Sequence, residues 1–142
     1  MELREALAHR LLGTAAVTAL VGRRVHIGDI PQQEPLPLIV LAINGETPTN
    51  HQHGESAEHR SSIRVECWAL RPTDARRLGE TVRAALSGFA GTVTDGGDSH
   101  RVIACTRSGG GDEWLPPDGG RERGWHGVRH EFDIWHELSA VP

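Results

Sequence analysis

Apolar positions along the chain follow two periods. In residues 2–20, Leu3, Leu7 and Leu11 recur at four-residue spacing, and Ala6 and Leu12 widen the stripe, the signature of an amphipathic helix. Gly13 interrupts it, Thr14 opens a second short turn carrying Val17, Leu20 and Val21, and Gly22 ends it, since glycine tolerates positive φ. A further helix is predicted after Pro72-Thr73-Asp74, where Thr73 offers a cap and Asp74 suits the positive end of the helix dipole. Its apolar face is Ala75, Leu78, Val82, Ala85, Leu86 and Phe89, with Gly88 or Gly91 as terminator. Gly79 inside it costs about 1 kcal/mol relative to Ala.

Elsewhere the period is two, or there is none. Residues 38–43 form a continuous apolar run between Pro37 and Asn44-Gly45, which predicts a central strand buried on both faces. Residues 61–70 alternate: Ile63, Val65, Cys67 and Ala69 point one way, Arg64, Glu66 and Trp68 the other. Residues 100–107 alternate too, with Val102 and Ala104 opposite Ile103 and Cys105. In the last strand, residues 125–138, Val128, His130, Phe132, Ile134 and Leu138 share a face, and Arg129, Glu131, Asp133, Trp135 and Glu137 share the other. Short strands are expected at 25–27 and 92–93, with a turn at 95–98. Residues 44–60 and 108–124 are polar and aperiodic, which predicts two long loops of a kind that is usually functional or mobile. The sum is one domain over residues 1–142. It is an α+β fold: a mixed, mostly antiparallel sheet with two helices packed on one face, and long polar loops.

Composition narrows the chemistry. All 15 basic side chains are Arg, with no Lys, which removes phosphate-loop NTPases, protein kinases and Schiff-base enzymes, all of which need Lys. The net charge of −4 gives no basic footprint for duplex nucleic acid. No apolar run approaches the roughly 20 residues of a membrane span, and the acidic start MELREALAHRLLG does not read as a signal peptide. Two Cys, at 67 and 105, fall inside predicted strands and read as buried free thiols, in keeping with a cytosolic compartment.

Each candidate site has a plainer reading beside it. His51, His53 and His59 cluster in the first polar segment, but no complete zinc ligand set accompanies them, so solvated histidines are expected and no metal. Cys67 and Cys105 lack an adjacent base for nucleophilic work. Glu66, Glu131, Asp133 and Glu137 share faces with Arg64 and Arg129, which fits a solvated or subunit-facing charged surface better than acid–base catalysis. Trp68 and Trp135 on that face read either as interface anchors or as core residues under a helix or loop. Trp114-Leu115-Pro116-Pro117 in the Gly-rich segment reads either as an anchor docking on a neighbour or as packing on its own domain. No GxSxG, HExxH, CxxC or dinucleotide fingerprint occurs, and no cofactor is implied.

The order of elements is more telling than any motif. A helix, LREALAHRLLGTAAVTALVG, leads into RRVHIGDIPQQEPLPLIVLAI and a polar segment. IRVECWALRPTDARRLGETVRAAL follows, in which a strand ending Cys-Trp-Ala runs straight into an amphipathic helix, and the chain closes on VRHEFDIWHEL. This resembles the tail terminator (tail-completion) family of long-tailed phages and prophages, over nearly the whole chain. The resemblance implies a structural, non-enzymatic virion protein. It implies a hexameric ring on the head-proximal end of the tail tube, which stops tube polymerisation and joins the tail to the head connector or stopper protein. DNA would pass through the lumen without specific binding, and no membrane is involved. On this reading, subunit contacts are expected on the sheet edges and the face bearing Arg64, Glu66, Trp68, Arg129, Asp133 and Trp135. His51, His53, Glu55, Trp114 and Leu115 are the candidates for docking on tube or connector. The alternatives are another neck component, a head–tail joining or stopper protein, and a small metal- or thiol-dependent enzyme using the loop histidines or the Cys pair.

Overall fold

The computed structural model describes residues 1–31, 33–51, 54–117 and 123–137, for 46–51 and 54–57 as backbone only. The chain runs α1 (Leu3–Leu12), α2 (Ala15–Val21), β1 (Val25–Ile27), β2 (Leu38–His51), β3 (Gly54–Ala69), α3 (Pro72–Leu86), β4 (Gly91–Asp95), β5 (Asp98–Leu115) and β6 (Trp125–Glu137). The six strands make one sheet in the order β1-β2-β3-β6-β5-β4, in which only β1 and β2 pair in parallel. The fold is therefore α+β with a mixed, mostly antiparallel sheet, as the pattern predicts.

All three helices pack on one sheet face. Leu3, Leu7 and Leu11 of α1, Val17 and Val21 of α2, and Leu78, Val82 and Leu86 of α3 meet Ile39, Leu41, Ile63, Val65, Cys67, Phe132 and Ile134 of the sheet in one buried cluster. Gly13 divides the first helix, and Gly88, at φ 80°, follows the end of α3. The cap of α3 is Arg71 with Pro72 in the first turn, so Thr73 lies inside the helix rather than capping it; proline preset at that position makes the earlier start possible. Gly79 allows close approach, since a methyl there would lie 2.7 Å from Val128 Cγ1.

The two polar segments are mostly strand, not loop. Residues 44–51 and 54–60 extend the β2–β3 ladder outward to the pair His51↔Gly54. Residues 108–115 continue β5 along β6 to Leu115↔Trp125. These extensions have no apolar face to alternate against polar positions, or are glycine, so their strand period is invisible in sequence. The register of β5 also skips Ile103, between Val102↔His136 and Ala104↔Trp135. That bulge puts Val102 and Cys105 on the same, helix-covered side and overturns the simple alternation read for residues 100–107.

Candidate functional site

The face of the sheet away from the helices divides into an apolar end and a charged end. At the apolar end, Leu38, Val40 and Trp68 form a second cluster, with Ile30, Leu36, Leu115 and Trp125 packed against it. Trp68 is thus 4% exposed and drops out of the interface candidates; the Pro-rich link before β2 covers it. Its indole lies on Gly127, where a methyl would come within 2.7 Å of the ring. Leu115 belongs to this cluster too, as a packed residue rather than a free docking one.

The charged end is a cross-strand array. Register places Arg64 opposite Glu131, Glu66 opposite Arg129 and Ser62 opposite Asp133. The ion pairs are Arg60–Asp133 at 2.9 Å, Arg129–Glu113 at 2.8 Å and Arg101–Glu137 at 3.2 Å, with Arg129–Glu131 at 3.6 Å and Arg64–Glu66 at 4.0 Å. The Nε atoms of Arg64 and Arg129 are buried without a hydrogen-bond partner. The Glu66 carboxyl is pushed above the usual carboxylate range, first by burial and then by repulsion from Glu113, with which it shares a hydrogen bond. Trp135, 39% exposed, stands at the edge of this array. The structure therefore brings Arg64, Glu66, Arg129, Asp133 and Trp135 onto one face.

The histidines depart from expectation at His59, whereas His130 lies on the apolar face with Val128, Phe132 and Ile134 as its alternation predicts. His59, expected in a solvated loop, is buried on the helix-covered side, and so are His100, His130 and His136. His100 Nδ1 lies 3.2 Å from the Met1 carbonyl, His100 Nε2 lies 2.8 Å from His136 Nδ1, and His136 Nε2 lies 2.7 Å from Ser61 Oγ. A carbonyl only accepts, so His100 Nδ1–H donates to Met1; for neutral rings, His136 Nδ1–H then donates to His100 and the Ser61 hydroxyl to His136. His130 donates from Nε2 to the Gly79 carbonyl at 2.8 Å and accepts from Arg107 Nε at 2.9 Å. Burial lowers the pKa of both His100 and His130. The signal was present: His136 shares parity with Phe132 and Ile134, His59 with Ile63, and His100 with Val102. Both ring nitrogens of His100, His130 and His136 are engaged in hydrogen bonds to the Met1 and Gly79 carbonyls, to Ser61, to Arg107 and between His100 and His136. Among the described residues no cluster of His, Cys, Asp and Glu could hold a metal ion.

Cys67 and Cys105 are free and buried. Burial pushes both thiols up, Cys105 to about 12, so neither is a ready nucleophile at neutral pH. Trp114, at 59% exposed, is the most exposed large apolar side chain among the described residues. Of the other docking candidates, His51 and Glu55 lie on the β2–β3 ladder, and His53 falls outside the described residues. No described helix is long and apolar enough to cross a membrane.

Comparison with known proteins agrees with this architecture. The model of the family described as Tail completion protein gp17 matches residues 5–137. A chain from the virion of a native gene transfer agent particle is similar in structure, with TM-score 0.68 and 15% identity, over 96% of this chain and 95% of that one. No curated protein matches.

Proposed function

The chain belongs to the tail completion protein gp17 family, matched over residues 5–137, and from that premise we propose that it assembles into a homohexameric ring on the head-proximal end of a phage tail tube. Membership makes it a structural tail assembly protein. The finer role is that the ring ends tube polymerisation and presents the surface on which the head connector or stopper protein docks, while DNA passes through the lumen without specific binding. The family match carries this reading. The likeness of fold to a chain of a phage-like virion is in keeping with it.

The shape of the sheet supports closure into a ring. β4 pairs only with Asp98–Val102 of β5, and β1 only with Ile39–Leu41 of β2. Among the described residues no strand covers the outer edge of the last part of β5 or of the last part of β2. Two different open edges on opposite sides favour head-to-tail contacts, which close into rings, over a self-complementary pair. The face bearing Arg64, Glu66, Arg129, Asp133 and Trp135 would add to these contacts, with Arg supplying bidentate pairing to a neighbour's carboxylates. The β2–β3 extension, on which His51 and Glu55 lie, would reach along the ring axis toward tube or connector.

The experiment is light scattering of the purified protein, alone and with a phage major tail tube protein, together with tube length measured by electron microscopy. A ring mass and tubes of arrested length are expected. A chain that stays monomeric with tube protein present, and leaves tube growth unchanged, overturns the proposal.

A further inference from the structure

The two most exposed large apolar side chains among the described residues are Trp114, at 59%, and Leu70, at 47%. They lie at the same end of the sheet. Leu38↔Trp68, Trp68↔Gly127 and Glu113↔Gly127 align the start of β2, the end of β3, the start of β6 and the end of β5 there. Trp114 shares parity with Gly110, which pairs with His130, so it stands on the helix-covered side at the end of β5, its indole Nε1 beside Gly124. Leu70 stands on the lip of an open cavity of about 300 Å³ on that same side, lined by Ala19, Leu20, Leu36, Pro37, Ala69 and Leu78. Trp114 does not line this cavity, so it does not fill its own.

We propose that Trp114 of one subunit inserts into the Leu70 cavity of the next, and that this knob-and-hole contact is the anchor of the ring. The inference rests on the ring reading above and names the residues that hold it. A protruding indole at one lateral side and a mainly apolar hole at the other, both at one level, form a heterologous pair of the kind a closed ring requires. Interface hot spots are enriched in Trp and sit in desolvated pockets, and a cavity of this size is at the lower end of the range for ligand pockets. Charge agrees with the fit. Asp74 and Arg77 line the mouth of the cavity, and neither has an ion-pair partner among the described residues. On the knob, Asp112 flanks Trp114 two residues away on the same face and among the described residues pairs only with Arg76, at 3.9 Å, with both side chains largely exposed. Docking brings Arg77 to the neighbour's Asp112. It also brings the indole N–H, which has no acceptor among the described residues, to Asp74.

The test compares wild type, W114A and L70R by native mass spectrometry and light scattering across a concentration series, with and without tube protein. Both variants are expected to raise the concentration for half-assembly by roughly thirtyfold, as for loss of a hot-spot residue, without change in circular dichroism. An equimolar mixture of the two has one knob and one hole per pair and is expected to stop at dimers. A third variant, D112C/R77C, keeps Trp114 and is expected to give a disulfide-linked ladder of chains under mild oxidation, which decides the matter if W114A fails to fold. A wild-type ring that both single variants leave intact, with no ladder from the third, overturns this contact and leaves the ring standing. Rings that persist in W114A but no longer cap tubes also overturn it, and move Trp114 to the tube side. A wild type that never assembles removes the ring and this contact together.

Discussion

Gly127 decides what the far face of the sheet is made of. It gives the Trp68 indole a flat floor, with Cε3 and Cζ3 each 2.7 Å from where a methyl would stand. Gly127→Ala therefore lifts Trp68 off the strand and should destabilise the protein by about 1–3 kcal/mol, as overpacking does; thermal melts and the near-UV circular dichroism of tryptophan will read it. Glu66 makes the opposite case. Its folded pKa is raised above 4.5 by burial and by Glu113, so its protonated form is favoured in the folded state and the ionised form works against folding as pH rises past that value. Glu66→Gln should raise Tm at pH 7 by on the order of 2 °C, and a lower Tm at pH 7 would contradict the repulsion. Strand parity correctly put Trp68 on the face of Arg64 and Glu66. What parity does not carry is the cover: Ile30 and Leu36 come from a Pro-punctuated link whose path follows no period.

At the scale of elements, α3 and β6 show the limit of intrinsic propensity. An interior Gly→Ala exchange ordinarily favours a helix by about 1 kcal/mol. Here the added methyl meets Val128 Cγ1 at 2.7 Å and approaches His130 Nε2 at 3.4 Å, the ring nitrogen that donates to the Gly79 carbonyl. Gly79→Ala should therefore lower stability, by about 1–3 kcal/mol once clash outweighs propensity; a denaturant midpoint above wild type would refute this. α3 itself was legible, because Ala75, Leu78, Val82, Ala85 and Leu86 all face a core and so display its period. The outer halves of β2, β3 and β5 were not. Strand period is written by burial on one side, and these halves are mostly polar residues and glycines, with no recurring apolar positions to display it. The charged array was legible as a face because its Arg and Glu alternate with Ile63, Val65, Phe132 and Ile134, whereas the bulge at Ile103 follows only from packing.

For the whole molecule, the buried histidines link stability to pH. His100 and His130 sit on opposite stretches of the helix–sheet seam, one beneath the N-terminus and one beneath α3. His100 is lowered mainly by burial and further by the Met1 ammonium, against the Met1 carbonyl, Asp98 and Glu2, which act to raise it. His130 is lowered mainly by burial and further by Arg107 and Arg83, against the Gly79 carbonyl and Glu80. Both therefore bind protons less readily folded than unfolded, where the value is 6.5. Above that value both states are neutral there and the contribution is complete. As pH falls from 6.5 toward the lowered folded values, the unfolded chain takes up protons first and stability is lost, at no more than roughly 1.4 kcal/mol per pH unit for each ring. Protonating His130 also ends its role as acceptor for Arg107, and adding a proton to the Ser61–His136–His100–Met1 chain forces one of its bonds to give way or reverse. Chemical denaturation at pH 8, 7, 6 and 5.5 should give a plateau followed by a decline, and His130→Gln should flatten the decline while lowering the plateau. A stability that is level from pH 8 to 5.5 would mean that these rings charge without cost where they are, which their burial and fixed hydrogen bonds do not allow.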